Sequence, residues 1–243
     1  MKQMSFRDKW ALHTWMKQHY KLKGFLPVTE ILKKESLERM VGRYERVMVK
    51  PTNGAFGRGI VQISRLGKDS FELHHENFKT VIKDRKKVFE LLTKWFLEKN
   101  TPYMIQNRIP LATIGTNPFD IRVMVQKKND SDKWAVTAAC AKLAEDGFVI
   151  TNASKAILPV KTALNKSSLQ HPNTKEIIEK LRILSLMIVE HLSNWVETTR
   201  AFGIDLGVDQ QGLIWIIEAN LRPTIDMFQQ LNDHSYERIQ SYL

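Results

Sequence analysis

Apolar and polar positions alternate along this chain with two periods, and the places where the period changes mark its elements. Trp10, Ala11, Thr14 and Trp15 fall at helical spacing and predict a helix over residues 7–17, followed by an extended stretch at Phe25-Leu26-Pro27-Val28-Thr29. Residues 35–44 form a second helical candidate. Arg46-Val47-Met48-Val49-Lys50 then reads as a strand stopped by Pro51, and Ile60-Val61-Gln62-Ile63 as its return. Val88, Leu91, Leu92, Trp95 and Phe96 share one helical face within residues 83–99, and Tyr103-Met104-Ile105-Gln106 goes back to strand character.

Further on, residues 120–126 and 134–142 are expected to be strands around the polar turn Lys127-Lys128-Asn129-Asp130-Ser131-Asp132. Ile177, Ile178, Leu181, Leu184, Ile188, Leu192 and Trp195 mark a long helix over residues 175–197, with Asn173 three residues before Glu176 as a capping signal. Residues 213–217 form an apolar strand soon after Gly203-Ile204-Asp205-Leu206-Gly207-Val208-Asp209. The pattern predicts an α+β chain with an N-terminal subdomain over 1–106 and a C-terminal one over 107–243.

Composition narrows this picture only slightly. With 43% hydrophobic and 26% charged residues and no low-complexity segment, the chain is expected to fold throughout. The start lacks the apolar core of a signal peptide, and no run of about 18 apolar residues could span a bilayer. A cytosolic location without membrane contact follows as the expectation. Cys140, the one cysteine, lies in a strand-like apolar run and reads as core. The formal net charge of +11 favours anionic partners without choosing among them, and Lys83-Asp84-Arg85-Lys86-Lys87 reads as a solvated helix face. None of the seven histidines has catalytic or metal spacing, and His74-His75 reads as surface polar residues.

Candidate chemistry begins at Thr52-Asn53-Gly54-Ala55-Phe56-Gly57-Arg58-Gly59. Gly54, Gly57 and Gly59 let the backbone approach a ligand closely and turn its N–H groups toward phosphate oxygens. A Walker loop or a dinucleotide fingerprint would open a helix, whereas this loop joins two strands and suits a flap over phosphates. Lys50 ends the strand that enters the loop, within reach of the same phosphates.

In Asp120-Ile121-Arg122-Val123-Met124-Val125, Asp120 and Arg122 share one strand face, as an ion pair or as an arginine offered to an oxyanion. Trp215-Ile216-Ile217-Glu218-Ala219-Asn220-Leu221-Arg222 interrupts an apolar strand with Glu218 and Asn220 on one face, and Arg222 is next in that alternation. Burying a carboxylate beside an amide is costly unless a cation compensates, and hard oxygen ligands suit Mg²⁺. Asp205 supplies a third oxygen if the two segments pair, with Asp209 left in the turn.

The order and spacing of these segments resemble the ATP-grasp superfamily and, within it, the YheC/YheD-type family, called endospore coat-associated in bacilli. The resemblance runs through Phe6-Arg7-Asp8-Lys9-Trp10, Leu26-Pro27-Val28-Thr29, Val49-Lys50-Pro51 with the glycine loop, Ile105-Gln106-Asn107-Arg108-Ile109, Phe119-Asp120-Ile121-Arg122, and Gly203-Ile204-Asp205 through Glu218-Ala219-Asn220. It implies an ATP-grasp fold whose two α+β subdomains clasp ATP. It further implies Lys9, Lys50, Gly54, Phe56, Gly57, Arg58 and Gly59 around the phosphates, and Gln106, Asn107, Arg108 and Ile109 as the hinge that recognises adenine. By the same resemblance Asp205, Glu218 and Asn220 hold Mg²⁺, while Arg122 and Lys142 face the transferred phosphoryl group or the acyl phosphate; Arg222, next in the strand alternation, is a further catalytic candidate.

Three departures stand out. Lys142 occupies a position where the family pattern leads us to expect arginine, keeping charge but losing the bidentate fork. Ala153-Ser154-Lys155 follows Asn152 where a glycine pair is expected, and the usual domain preceding the grasp is missing, so a partner chain or a homo-oligomer is expected in its place. The resemblance implies an ATP-dependent ligase that joins a carboxylate to an amine or thiol through an acyl phosphate. A phosphotransferase and a low-turnover spore-associated binding or structural protein are the alternatives, and nucleic-acid binding would rest on charge alone.

Overall fold

The computed structural model describes residues 8–243 apart from 55–56, 98–100, 149, 152, 171 and 197. Phe6, Arg7, Phe56 and Asn152, named above, therefore lie outside the described residues. In chain order the first half carries α1 (Lys9–Gln18), β1 (Thr29–Ile31), α2 (Lys34–Arg43), β2 (Arg46–Pro51), β3 (Val61–Arg65), β4 (Phe71–His75), β5 (Phe78–Ile82), α3 (Val88–Phe96) and β6 (Tyr103–Asn107). The second carries β7 (Thr113–Ile114), β8 (Asn117–Gln126), β9 (Ala135–Ala144), β10 (Ser154–Leu158), α4 (Val160–Lys166), α5 (Thr174–Ser193), β11 (Ala201–Val208), β12 (Ile214–Asn220) and α6 (Ser235–Gln240).

These elements sort into two compact units. One gathers the chain up to Leu26 with Pro110–Asp146 and Ala153–Leu243; the other is Pro27–Ile109 with Gly147–Asn152. The division thus falls after Ile109 instead of Gln106, and α1 belongs with the C-terminal residues. The reason is packing: Leu12 and Met16 of α1 are buried in the same core as Leu181, Leu184 and Ile188 of α5.

In this first unit β10-β9-β8-β11-β12 form an antiparallel sheet, with β7 paired to β8. Phe119, Ile121, Val123 and Val125 of β8 and Phe202, Ile204 and Leu206 of β11 turn one face onto α1 and α5. Burial of such side chains stabilises by about 1.5–3 kcal/mol each. Local chemistry fixes where the helices begin. Asp8 Oδ1 accepts from the N–H groups of Trp10 and Ala11, starting α1, and Asn173 Oδ1 accepts from Glu176 N at 3.3 Å, starting α5 at the expected cap. The opposite sheet face is apolar at one end only, where Phe228, Leu231 and Ile239 cover Met124, Ala138 and Cys140.

The second unit is also a six-stranded antiparallel sheet, ordered β1-β6-β2-β3-β4-β5. Val47, Val49, Ile63, Leu73 and Ile105 face Leu37, Met40 and Val41 of α2 and Val88 and Leu92 of α3. The helix expected over 83–99 is shorter: Asp84 Oδ1 accepts from Lys86 N and caps a 3-10 turn, and α-helical geometry starts only at Val88. Strands β4 and β5 lacked a clear turn signal in the sequence, because their hairpin turns at Glu76, a non-glycine residue with φ of 52°.

Candidate functional site

The polar face of the first unit's sheet is assembled by register. Asp120 lies opposite Lys142 on β9, Arg122 opposite Asp205 on β11, Asp205 opposite Glu218 and Gly203 opposite Asn220 on β12. The expected pairing of Asp205 with the Glu218 segment is therefore real, and it brings Asp120, Arg122, Lys142, Asp205, Glu218 and Asn220 onto one face. A bulge after Asp205 inserts Ile217 opposite that strand, which lets Glu218 keep its side while Leu206 and Ile216 return to the core.

Asp120 and Arg122, expected either to pair with each other or to offer the arginine outward, instead pair across strands. Arg122 Nε donates to Asp205 Oδ1 at 2.7 Å and Nη2 to Oδ2 at 2.9 Å, a bidentate contact. Lys142 Nζ sits 3.2 Å from both Asp120 Oδ1 and Asp205 Oδ1. All four side chains are buried, and their formal charges cancel. Burial on its own would raise the Asp205 pKa, but Lys142 and Arg122 hold it well below the usual carboxylate range. Burial likewise opposes the charge on Lys142, and Asp120 and Asp205 more than restore it. Burial also pushes the Cys140 thiol up to about 12, as a core cysteine should be.

Glycine has a specific task beside this network. A Cβ on Gly203 would lie 2.6 Å from Pro223 Cβ and 3.2 Å from Arg122 Cδ, so glycine here makes room for Pro223 and spares the arginine a tight contact. That requirement was present in the sequence as a glycine two residues before Asp205, without an assigned role.

The metal-directed residues are also engaged. Asn220 Nδ2 donates to Asp205 Oδ2 at 3.1 Å, which leaves its Oδ1 as a possible ligand atom. Glu218 Oε2 is 3.2 Å from Lys9 Nζ. Glu218 is therefore not the uncompensated carboxylate that the sequence suggested: its partner is Lys9, and Arg222 lies exposed past the strand end. Among the described residues no group of three or more His, Cys, Asp and Glu is arranged as a metal site. Asp209 stays in the turn, where Oδ1 accepts from Gln211 N and Leu213 N and Oδ2 from the Trp215 indole.

The second unit carries the remaining candidates. Lys50 is buried on the sheet face that points away from α2 and α3, where it alternates with Val49. Gly57 and Gly59 have φ of 70° and 72°, conformations that side-chain-bearing residues rarely adopt, so the loop after β2 needs these glycines for its shape. Gly54 and the exposed Arg58 belong to the same loop. Gln106 Nε2 donates to Thr29 Oγ1 at 2.9 Å, and the N–H groups of Asn107 and Arg108 bond the carbonyls of Val28 and Arg46. Ile109 closes this unit's continuous segment. His74, expected at the surface, is buried on the polar face, because β4 turns Leu73 into the core and its neighbour to the other side.

Comparison with known proteins matches this architecture. The chain is 30% identical over 239 residues to endospore coat-associated protein YheD of Bacillus subtilis (strain 168), covering 97% of this chain and 52% of that protein. It is 20% identical over 223 residues to YheC of the same organism, covering 89% and 60%. It thus spans little more than half the length of the curated relatives it matches. Among solved structures, the VanG D-Ala:D-Ser ligase of Enterococcus faecalis superposes with a TM-score of 0.57 at 13% identity, over 98% of this chain and 62% of that one. N5-carboxyaminoimidazole synthase of Aspergillus clavatus, solved with ADP and 5-aminoimidazole ribonucleotide, gives 0.53 at 13% identity, over 90% and 45%. These likenesses are of fold. The family described as YheC/D like ATP-grasp matches residues 1–243 in full, and with the two-sheet architecture and the ordered motifs it establishes that the chain belongs to the YheC/D-like ATP-grasp family.

Proposed function

We propose that the protein uses Mg-ATP to activate a carboxylate as an acyl phosphate and passes the acyl group to an amine or thiol. The observation that carries this reading is the concentration of Arg122, Lys142, Asp205, Glu218 and Asn220 on one polar sheet face. Family membership supports it, as do fold neighbours named as a D-Ala:D-Ser ligase and as a synthase bound to ADP. The relatives' description as endospore coat-associated favours a place in or on the spore.

The residues fit a hard cation in part. Glu218 and Asn220 each keep one oxygen outside the contacts described, whereas Asp205 can join only by giving up a contact with Arg122, Lys142 or Asn220. Bound Mg²⁺ would neutralise charge on phosphate oxygens. Beyond their contacts with Asp120 and Asp205, Arg122 and Lys142 keep N–H donors for the carboxylate and phosphoryl oxygens, and the glycine loop with Lys50 supplies donors to a polyphosphate. In the reaction a carboxylate oxygen bonds the γ-phosphorus as ADP leaves; the nucleophile then bonds the acyl carbon as phosphate leaves.

Two measurements test the reading. Mg-ATP at about 100 times Kd should stabilise the fold by about 2.7 kcal/mol, raising its melting temperature. ADP and phosphate should accumulate only when carboxylate and amine pools are both supplied. Absence of any thermal shift at millimolar Mg-ATP would sink it.

A further inference from the structure

The polar face of the second unit's sheet carries a continuous cross-strand row. Thr29, Gln106, Met48, Gln62, His74 and Lys79 stand opposite one another in turn on β1, β6, β2, β3, β4 and β5. Gln106 Nε2 donates to Thr29 Oγ1, whose own hydroxyl donates to Pro27 O. Gln62 and His74 are only 5% and 4% exposed. Gln62 Nε2 donates to Ser64 Oγ at 2.9 Å, and neither Gln62 Oε1 nor His74 Nε2 has a hydrogen-bond partner among the described residues.

The protonation of the imidazole sharpens this. Burial, and after it the Lys79 ammonium, lowers the His74 pKa against the weaker opposing effect of Glu72 and of the backbone at Glu76 and Gly147, which keeps the ring neutral near pH 7. Since Nε2 is unpartnered, the hydrogen is assigned to Nδ1 and Nε2 presents a lone pair. Gln62 Oε1 is an acceptor as well. Two adjacent acceptors cannot satisfy each other, and each unsatisfied buried group costs about 1–3 kcal/mol. A fold that keeps both at neighbouring positions is short of one group bearing two hydrogens. A carboxylate has none to give and a hydroxyl has one, whereas water and an amino group each have two, and of these only the amino group comes with a ligand.

We propose that Gln62 Oε1 and His74 Nε2 together bind an amino group, each accepting one of its hydrogens. Two sources have this chemistry: the exocyclic amino group of adenine, and the amine that would open an acyl phosphate. The proposal rests on the ligase reading only for the choice between these sources.

The test uses the whole chain and the variants Gln62→Met and His74→Leu. Without ligand, both should melt close to the wild-type temperature, because each removes an unsatisfied acceptor, which offsets the Gln62–Ser64 bond that Gln62→Met also removes. Mg-ATP and Mg-ITP, which differ at the 6-amino group, are then compared by calorimetry. Ethylammonium chloride is titrated in the presence of Mg-ATP and, separately, in its absence, against potassium chloride of equal ionic strength. If adenine is the source, wild type prefers ATP by about tenfold or more and Gln62→Met loses that preference. If the co-substrate is the source, the nucleotides bind alike, and ethylammonium raises the melting temperature of wild type but of neither variant. The proposal is overturned if both ligand-free variants melt well below wild type, or if wild type distinguishes neither ITP from ATP nor ethylammonium from potassium. A wild type that binds no Mg-ATP would sink the ligase reading, while the ligand-free melting and the nucleotide-free ethylammonium arm would still decide this site.

Discussion

Arg122 and Asp205 stand directly opposite each other on β8 and β11 and form a buried two-point contact, with Nε to Oδ1 at 2.7 Å and Nη2 to Oδ2 at 2.9 Å. Lys142 and Asp120 extend the pair into a neutral foursome. An arrangement of this kind contributes little when intact relative to an apolar core, yet it is costly to break.

Asp205→Asn should therefore destabilise the metal-free protein by about 3–5 kcal/mol, because Arg122 and Lys142 would share only Asp120 as a buried counter-charge. Denaturant unfolding in chelator-treated buffer measures it. A loss under about 1 kcal/mol would show that the foursome does not hold the sheet.

The same carboxylate sets an acid limit. Its folded pKa lies below the unfolded value of about 3.9, so its contribution is fully present above roughly pH 4 and is lost as pH falls through the folded value. Arg122 and Lys142 have raised values, so their contribution is lost only in strong base, above about pH 10. Wild type minus Asp205→Asn, measured at pH 7, 5 and 3.5, should be flat between the first two and shrink at the third. A difference that already narrows between pH 7 and 5 would contradict the assignment.

Glu218→Gln separates stability from chemistry. Its contact with Lys9 is partly solvated, 26% exposed on the carboxylate side, so the ligand-free protein should change by no more than about 1 kcal/mol. Mg-ATP turnover should fall by orders of magnitude if this carboxylate helps hold the cation. Equal turnover in both forms would assign Glu218 to Lys9 alone.

Gly57→Val would force a β-branched residue to φ of 70°, a local strain of about 1–3 kcal/mol. Nucleotide affinity should weaken while the two cores persist. Gly67→Ala, at a position with open space around it and no positive φ, serves as the silent control. Unchanged Mg-ATP affinity in Gly57→Val would reduce the loop to an ordinary hairpin.

Local pattern determined much of this protein. The helical spacing of Leu181, Leu184 and Ile188 and the Asn173 cap defined α5, and period-two alternation put Asp120 with Arg122 and Glu218 with Asn220 on shared faces. These are properties of neighbours a few residues apart, set by backbone sterics and available in any segment read alone. Partnership was not local. Arg122 is 83 residues from Asp205 and Lys9 is 209 from Glu218, so which charge cancels which depended on strand register and on where α1 packs. His74 shows the same division: its place in a polar dipeptide suggested solvent, and the assembled sheet buried it opposite Gln62. A single strand fixes the direction of a side chain, but only the strands beside it fix whether that direction leads to water, to a counter-charge or to an unfilled hydrogen bond.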